Sequence, residues 1–124
     1  MVYNQVVMHA TIGRMSPARL DATFAALADP TRRAILTRLA EGEATVRELA
    51  EPFAISSPAI SKHLNVLERA GLISRRRVAQ SRPTSLRPGA FDEADAWMET
   101  CKATWEGRMD RLGEHLDKVQ GLRR

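Results

Sequence analysis

Apolar side chains recur at helical spacing in most of the chain and give way to a strand-like pattern only between Leu72 and Leu86. Ser16-Pro17, a hydroxyl cap followed by proline, opens a first helix that presents Leu20, Phe24 and Leu27. Asp29-Pro30 repeats the signal, and the second helix turns Ile35, Leu36 and Leu39 inward, leaves Arg32 and Arg33 exposed at its start and stops near Gly42. Thr45 and Glu48 have the spacing of a reciprocal cap, so a short third helix should carry Val46, Leu49, Ala50 and Phe53 inward. After the brief polar turn Ala54 to Ser56, Ser57-Pro58 restarts the chain. A fourth helix from Pro58 buries Ile60, Leu64, Leu67 and Ala70 and ends at Gly71. Leu72 to Val78 and Arg82 to Leu86 read as two short strands joined at Ala79-Gln80-Ser81. Pro88-Gly89 then breaks the chain before a long helix from about Phe91 to Val119. The expected class is mainly α with a small β-hairpin, in the order α-α-α-α-β-β-α, and helices three and four read as a helix-turn-helix.

The polar face of the fourth helix is unusual for a solvated helix, which normally carries paired charges of both signs. Its start offers Ser56, Ser57, Ser61, Lys62, His63 and Asn65, with no acid before Glu68. Such side chains can donate to phosphates and base edges without blocking approach to a groove. The hairpin adds charge: from Leu72 to Pro88 there are five arginines and no acid. An ordinary solvated charge run does not need one sign repeated at Arg75, Arg76, Arg77 and Arg82, where repulsion destabilises the hairpin; a polyanion would relieve it.

The long last helix has a second pattern. Met98, Trp105, Leu112 and Val119 recur every seven residues, and Cys101, Met109 and Leu116 fill the alternate steps, as in a coiled-coil seam. Trp97 lies beside it, and aromatic residues are enriched in interface cores.

At 124 residues the chain fits one domain. Its net charge of +4 is unevenly spread, with +6 in residues 55 to 88 and −4 in residues 89 to 118. Basicity is therefore local to the helix-turn-helix and hairpin, as an electrostatic footprint on nucleic acid requires. A single cysteine, Cys101, leaves no internal disulfide framework and fits a reducing compartment. Met1 to Ala10 lacks a basic opening and is interrupted by Asn4, Gln5 and His9, so neither a secretory signal nor a membrane span is expected. A cytoplasmic location follows. Residues 1 to 15 show no clear period and read as a flexible arm, an added strand, or a stretch ahead of a true start at Met15.

Three motifs in order, Leu27-Ala28-Asp29-Pro30-Thr31-Arg32-Arg33, Ile55-Ser56 to His63-Leu64, and Leu67-Glu68-Arg69-Ala70-Gly71-Leu72-Ile73, resemble the ArsR/SmtB family of winged helix-turn-helix bacterial repressors. The resemblance covers roughly Phe24 to Leu116. It implies a homodimer in which the helix from Pro58 to Ala70 enters the major groove of operator DNA and the hairpin is a wing on the minor groove or backbone. It also assigns most of the last helix's seam to the partner subunit, with Leu20, Phe24, Trp97, Met98, Cys101, Trp105, Met109, Leu112 and Leu116 at the interface. Backbone contacts by Arg32 and Arg33 are a secondary implication. The wing turn departs from the family, since many relatives have glycine where this chain has Ala79-Gln80. The implied layout is an arm over residues 1–15, a domain over 16–119 with a reader at 45–71, a wing at 72–87 and a C-terminal helix at 91–119, and a tail at 120–124.

Other chemistry finds no support. The family's Cys-rich metal motif is replaced by Val46-Arg47-Glu48-Leu49-Ala50-Glu51, and His115 has Arg111 and Val119 at one-turn spacing rather than ligands. His9, His63 and His115 fall on separate elements, whereas zinc needs three or four converging ligands. Cys101 on an apolar seam reads as packing rather than a redox sensor. Ser57, Ser61 and His63 do not face one another as a nucleophile and base must. No enzyme, metal or cofactor is expected, while a small-molecule effector of unidentified kind stays open. The expectation is a sequence-specific DNA-binding transcriptional regulator, a homodimeric repressor without a metal-sensing site; the alternative is a winged-helix module for protein or RNA contact.

Overall fold

The computed structural model describes residues 17–79 and 81–122. Their elements follow the expected order: α1 Pro17–Leu27, α2 Pro30–Leu39, α3 Val46–Ala50, α4 Ser57–Arg69, β1 Ile73–Arg75, β2 Thr84–Leu86 and α5 Asp92–Leu122. The N-terminal arm, the Ser16 cap, Gln80 of the wing turn and the last two residues lie outside the described residues. Residues 17–94 fold as one unit, and α5 from Asp95 onward belongs to another.

Helix starts follow from side-chain oxygens that take the free amides of a first turn. The Asp29 carboxylate accepts from the Arg32 amide at 3.0 Å, with Pro30 in the first turn of α2. Thr45 and Glu48 form the expected capping box: the Glu48 amide donates to Thr45 Oγ1 and the Thr45 amide to Glu48 Oε1, each at 3.2 Å. For α4 the expectation is corrected by one residue. Ser56, extended at φ −73° and ψ 158°, is the cap, accepting from the Ala59 amide at 3.3 Å, so Ser57 opens the helix and Pro58 stands second. A proline is tolerated there because amides of the first turn have no intrahelical acceptor to lose. At the other end Gly71, at φ +78°, donates to the Glu68 carbonyl, and Leu72 donates back to Leu67, both at 3.0 Å. That pair of bonds is a Schellman cap, and its positive φ is why glycine stands there.

The core lies where α2, α3, α4 and the hairpin meet. Ile35, Leu49, Ile60, Leu64, Leu67, Leu72 and Ile73 are fully buried, with Leu36, Leu39 and Ala70 beside them. On α1 the buried face is Leu20, Thr23 and Ala26, while the expected Phe24 and Leu27 are only half-buried. Small Ala26 and Thr23, whose hydroxyl donates to the Arg19 carbonyl at 3.0 Å, permit closer packing than the larger side chains would.

β1 and β2 pair antiparallel in the register Ile73 with Leu86, Ser74 with Ser85 and Arg75 with Thr84. The ladder is shorter than the sequence suggests, because Pro83 has no amide to donate and interrupts it. The Arg76 amide still donates to the Pro83 carbonyl at 3.0 Å, and the tip closes by reciprocal Val78 and Ser81 bonds. A third edge was not anticipated. Ala44, just before α3, exchanges two backbone bonds with the buried Thr84, at 3.0 and 2.8 Å.

The helix α5 has 31 residues, about 46 Å of continuous helix, and runs three residues past its expected end. Along it Met98, Trp105, Met109, Leu112 and Leu116 are exposed, Trp105 to 62%, whereas Trp97 and Cys101 are half-buried. No helix among the described residues is long and apolar enough to cross a membrane.

Candidate nucleic-acid interface

The polar face of α4 is positioned by its buried one. With Ile60, Leu64 and Leu67 in the core, Ser57, Ser61 and Asn65 fall at four-residue steps on another face, where Ser57 and Asn65 are exposed and Ser61 half-buried. Lys62 is exposed. Ser56 spends its oxygen on the cap and keeps its hydroxyl hydrogen for an outside acceptor.

His63, expected to face DNA, also has partners within the fold. It is half-buried, with Nδ1 3.5 Å from Arg32 Nη1 and 3.9 Å from the Asp29 carboxylate. The ring therefore ties α4 to the α1–α2 junction. Arg32 is corrected, since this side chain is half-buried rather than exposed. Its Nε donates to the Ala26 carbonyl at 2.8 Å, and its Nη2 to the Ala25 carbonyl at 3.1 Å, which also accepts from the Ala28 amide at 3.2 Å, so the arginine caps the end of α1. Arg33 is exposed as expected and donates to the Leu27 carbonyl at 2.8 Å. The Arg32 amide holds the Asp29 carboxyl below the usual carboxylate range, with help from the nearby His63 and Arg32 charges.

The four wing arginines divide into two kinds. Arg75, with 11% of its side chain exposed, forks onto Glu68 through Nε at 3.3 Å and Nη2 at 3.1 Å, and Nη2 also donates to Asn65 Oδ1. These bonds hold the Glu68 carboxyl below its ordinary range. Arg76 donates to both oxygens of Glu43, at 2.8 and 3.0 Å. The repulsion expected among the arginines is thus offset by Glu68 and Glu43, which lie outside the basic run in sequence but beside it in space. The side chains of Arg77 and Arg82 are exposed and make no hydrogen bond or ion pair with the described residues, although the Arg82 charge also helps to lower the Glu68 carboxyl.

Between the wing tip and the starts of α3 and α4 lies an open cleft of about 730 Å³, lined by Thr45, Val46, Arg47, Ser57, Ala79, Ser81 and Arg82. Its cations are Arg47 and Arg82. Arg47 was missed in the sequence, although a basic side chain on an exposed position beside a helix start is a signal that could have found it. Among the described residues no three His, Cys, Asp or Glu side chains come together as metal ligands. Of the expected interface residues, Leu20 is buried within the chain and Phe24 keeps part of its surface.

Residues 27–76 match a family described as a helix-turn-helix domain. The chain is 44% identical over 75 residues to the transcriptional repressor SdpR of Bacillus subtilis, a match covering 60% of this chain and 83% of SdpR. It is 49% identical over 71 residues to the regulator Rv2034 of Mycobacterium tuberculosis, covering 53% of this chain and 66% of that one. Among solved structures, an ArsR family transcriptional regulator superposes with a TM-score of 0.70 at 40% identity, over 74% of this chain and 95% of the other. An ArsR-like regulator from Rhodococcus gives 0.67 at 31% identity, over 78% and 92%. These relatives are transcriptional regulators rather than enzymes. The chain belongs to the ArsR/SmtB family of winged helix-turn-helix transcriptional regulators, and it is a DNA-binding protein.

Proposed function

We propose that this chain is a homodimeric, sequence-specific repressor that places α4 in the major groove of an operator and rests its wing on the phosphates. The observation that carries the reading is the cleft between α4 and the wing tip, open, edged by Arg47 and Arg82, and free of acid along its lining. Ser57, Ser61, Lys62 and Asn65 would face base edges, and Arg77 and Arg82 the phosphate chain. Similarity to a repressor supports repression over activation.

The exposed seam of α5 supports the dimer. Five large apolar side chains uncovered along one heptad stripe are costly in water and are relieved by a second copy. Two recognition helices would then meet half-sites about one turn, ~34 Å, apart. Residues 16–119 would be the working domain, acting in the cytoplasm without a resident metal.

A mobility-shift titration with duplex DNA from upstream of the gene tests the reading. The expected result is a salt-sensitive shift at submicromolar protein that unlabelled random duplex competes poorly. No shift with duplex, but one with structured RNA, would favour the module alternative instead.

A further inference from the structure

The end of α1, α2, β2 and the segment that leads into α5 border an open groove of about 340 Å³. Leu27, Leu36, Leu86 and Phe91 make most of its lining, and Phe91 is 37% exposed there. Two polar side chains share the wall, Arg33 and Thr37, and no acid does so among the described residues. Arg33 gives Nη1 to the Leu27 carbonyl at 2.8 Å and makes no ion pair with the described residues, so its other N–H groups are uncommitted. The Thr37 hydroxyl donates to the Arg33 carbonyl at 3.0 Å, within the same helix. A concave apolar surface with one cation at its wall defines its complement: a hydrocarbon body that carries a single carboxylate, which a guanidinium can meet with two parallel N–H groups. An aliphatic or aromatic amine would instead meet the charge of Arg33.

We propose that this groove is a ligand site for an aromatic monocarboxylate, whose ring lies against Phe91, Leu86 and Leu36 and whose carboxylate takes the uncommitted edge of Arg33. The ring of Phe91 favours an aromatic body over an aliphatic one, because paired rings add to the burial of area alone. No residue of α4 or of the wing tip lines the groove among the described residues, so a molecule bound there leaves the cleft assigned to DNA open. The site therefore stands whether or not α4 reads bases. Its walls nonetheless belong to elements that seat the reader: Leu86 pairs with Ile73 in the wing ladder, and Arg33 follows Arg32, which meets His63 of α4.

Titration of the full chain with 2-naphthoate, followed by amide NMR shifts, tests this. Saturable binding is expected with a dissociation constant of about a millimolar or tighter, the strength that ligand efficiency allows a two-ring acid. The shifts should centre on Leu27, Arg33, Thr37, Leu86 and Phe91. The amine of the same hydrocarbon body, 2-naphthylmethylamine, should bind at least about ten-fold more weakly, the worth of one charge-assisted hydrogen bond. Arg33→Gln should remove that preference for the anion. Ala40→Leu, which adds bulk to an exposed position on the groove wall, should weaken the acid without reversing the preference. Equal binding of acid and amine by the wild type would reduce the groove to an unselective apolar surface and overturn the proposal, whatever the variants do. So would shifts centred on Met98 to Leu116, which would place the acid on the α5 seam. Groove amides that shift with protein concentration before any acid is added would assign the groove to a second copy of the chain, and that too would overturn it.

Discussion

Ala79 holds the wing turn at φ +53°, a region where a Cβ crowds the following carbonyl. For an alanine that conformation costs roughly 1–2 kcal/mol, and glycine is free of the cost but loses roughly 0.5–1 kcal/mol more backbone entropy on folding. Ala79→Gly should therefore raise stability by about 0.5–1 kcal/mol, seen as a higher urea midpoint at unchanged slope. A lower midpoint would mean the turn relaxes at little cost. Acid sensitivity is also set residue by residue. Glu48 is held below the usual carboxylate range first by the Thr45 amide, Glu68 by Arg75 and Asp29 by the Arg32 amide. A carboxyl whose folded value is depressed stabilises fully above its unfolded value and loses that stabilisation as pH falls through the folded one. The denaturant midpoint should then be level near neutrality and fall below about pH 4.5. Glu48→Gln should flatten that fall; an unchanged acid limb would show that the capping carboxylate adds nothing. The Thr45–Glu48 cap was legible because its partners are three residues apart. The Arg75–Glu68 fork was not, since sequence does not show which acid comes to rest beside a given arginine.

At the scale of elements, the helices could be placed because their apolar periods and caps agree, and α4 shifted by one only because Ser56 and Ser57 offer the same hydroxyl. The wing was harder. A ladder of three residue pairs carries almost no period-two signal, and Pro83 trims it where hydrophobicity alone would extend it. The division among the arginines has a measurable consequence. Arg82→Ala should reduce the slope of log affinity against log salt by up to about 0.9, the loss of one phosphate contact, on operator and random duplex alike. Glu43→Gln should strengthen binding to both, because it leaves Arg76 for a phosphate. Equal slopes for wild type and Arg82→Ala would remove Arg82 from the interface. The reader's own support is the core beneath it: Leu64→Ala should cost about 2–5 kcal/mol by thermal or urea unfolding, since the side chain is fully buried.

For the whole molecule, the charge map drawn from sequence holds, with the basic excess on the reader and wing and the acidic excess on α5. Met98, Trp105, Met109, Leu112 and Leu116 are exposed, but periodicity alone reads the same for an apolar seam whether it is covered by its own chain or by another. Replacing Trp105 and Leu112 together by glutamine should give a monomer by sedimentation at micromolar concentration, still folded by circular dichroism, with operator affinity reduced at least about a hundred-fold as two half-sites cease to be bound as one. A dimer of native affinity after both changes would place the subunit contact elsewhere.

The two backbone bonds between Ala44 and Thr84 join the wing's second strand to the segment that launches α3. Thr84 is fully buried, so those amides should exchange hydrogen with solvent only in openings large enough to disturb the core. By contrast, Val78 and Ser81 at the tip should exchange within local fluctuations. The wing is thus anchored at its base. If this wing and helix read DNA, they should meet each stretch of duplex as a preformed template, so mismatched sequences should be rejected through fast dissociation rather than slow refolding of the protein around them.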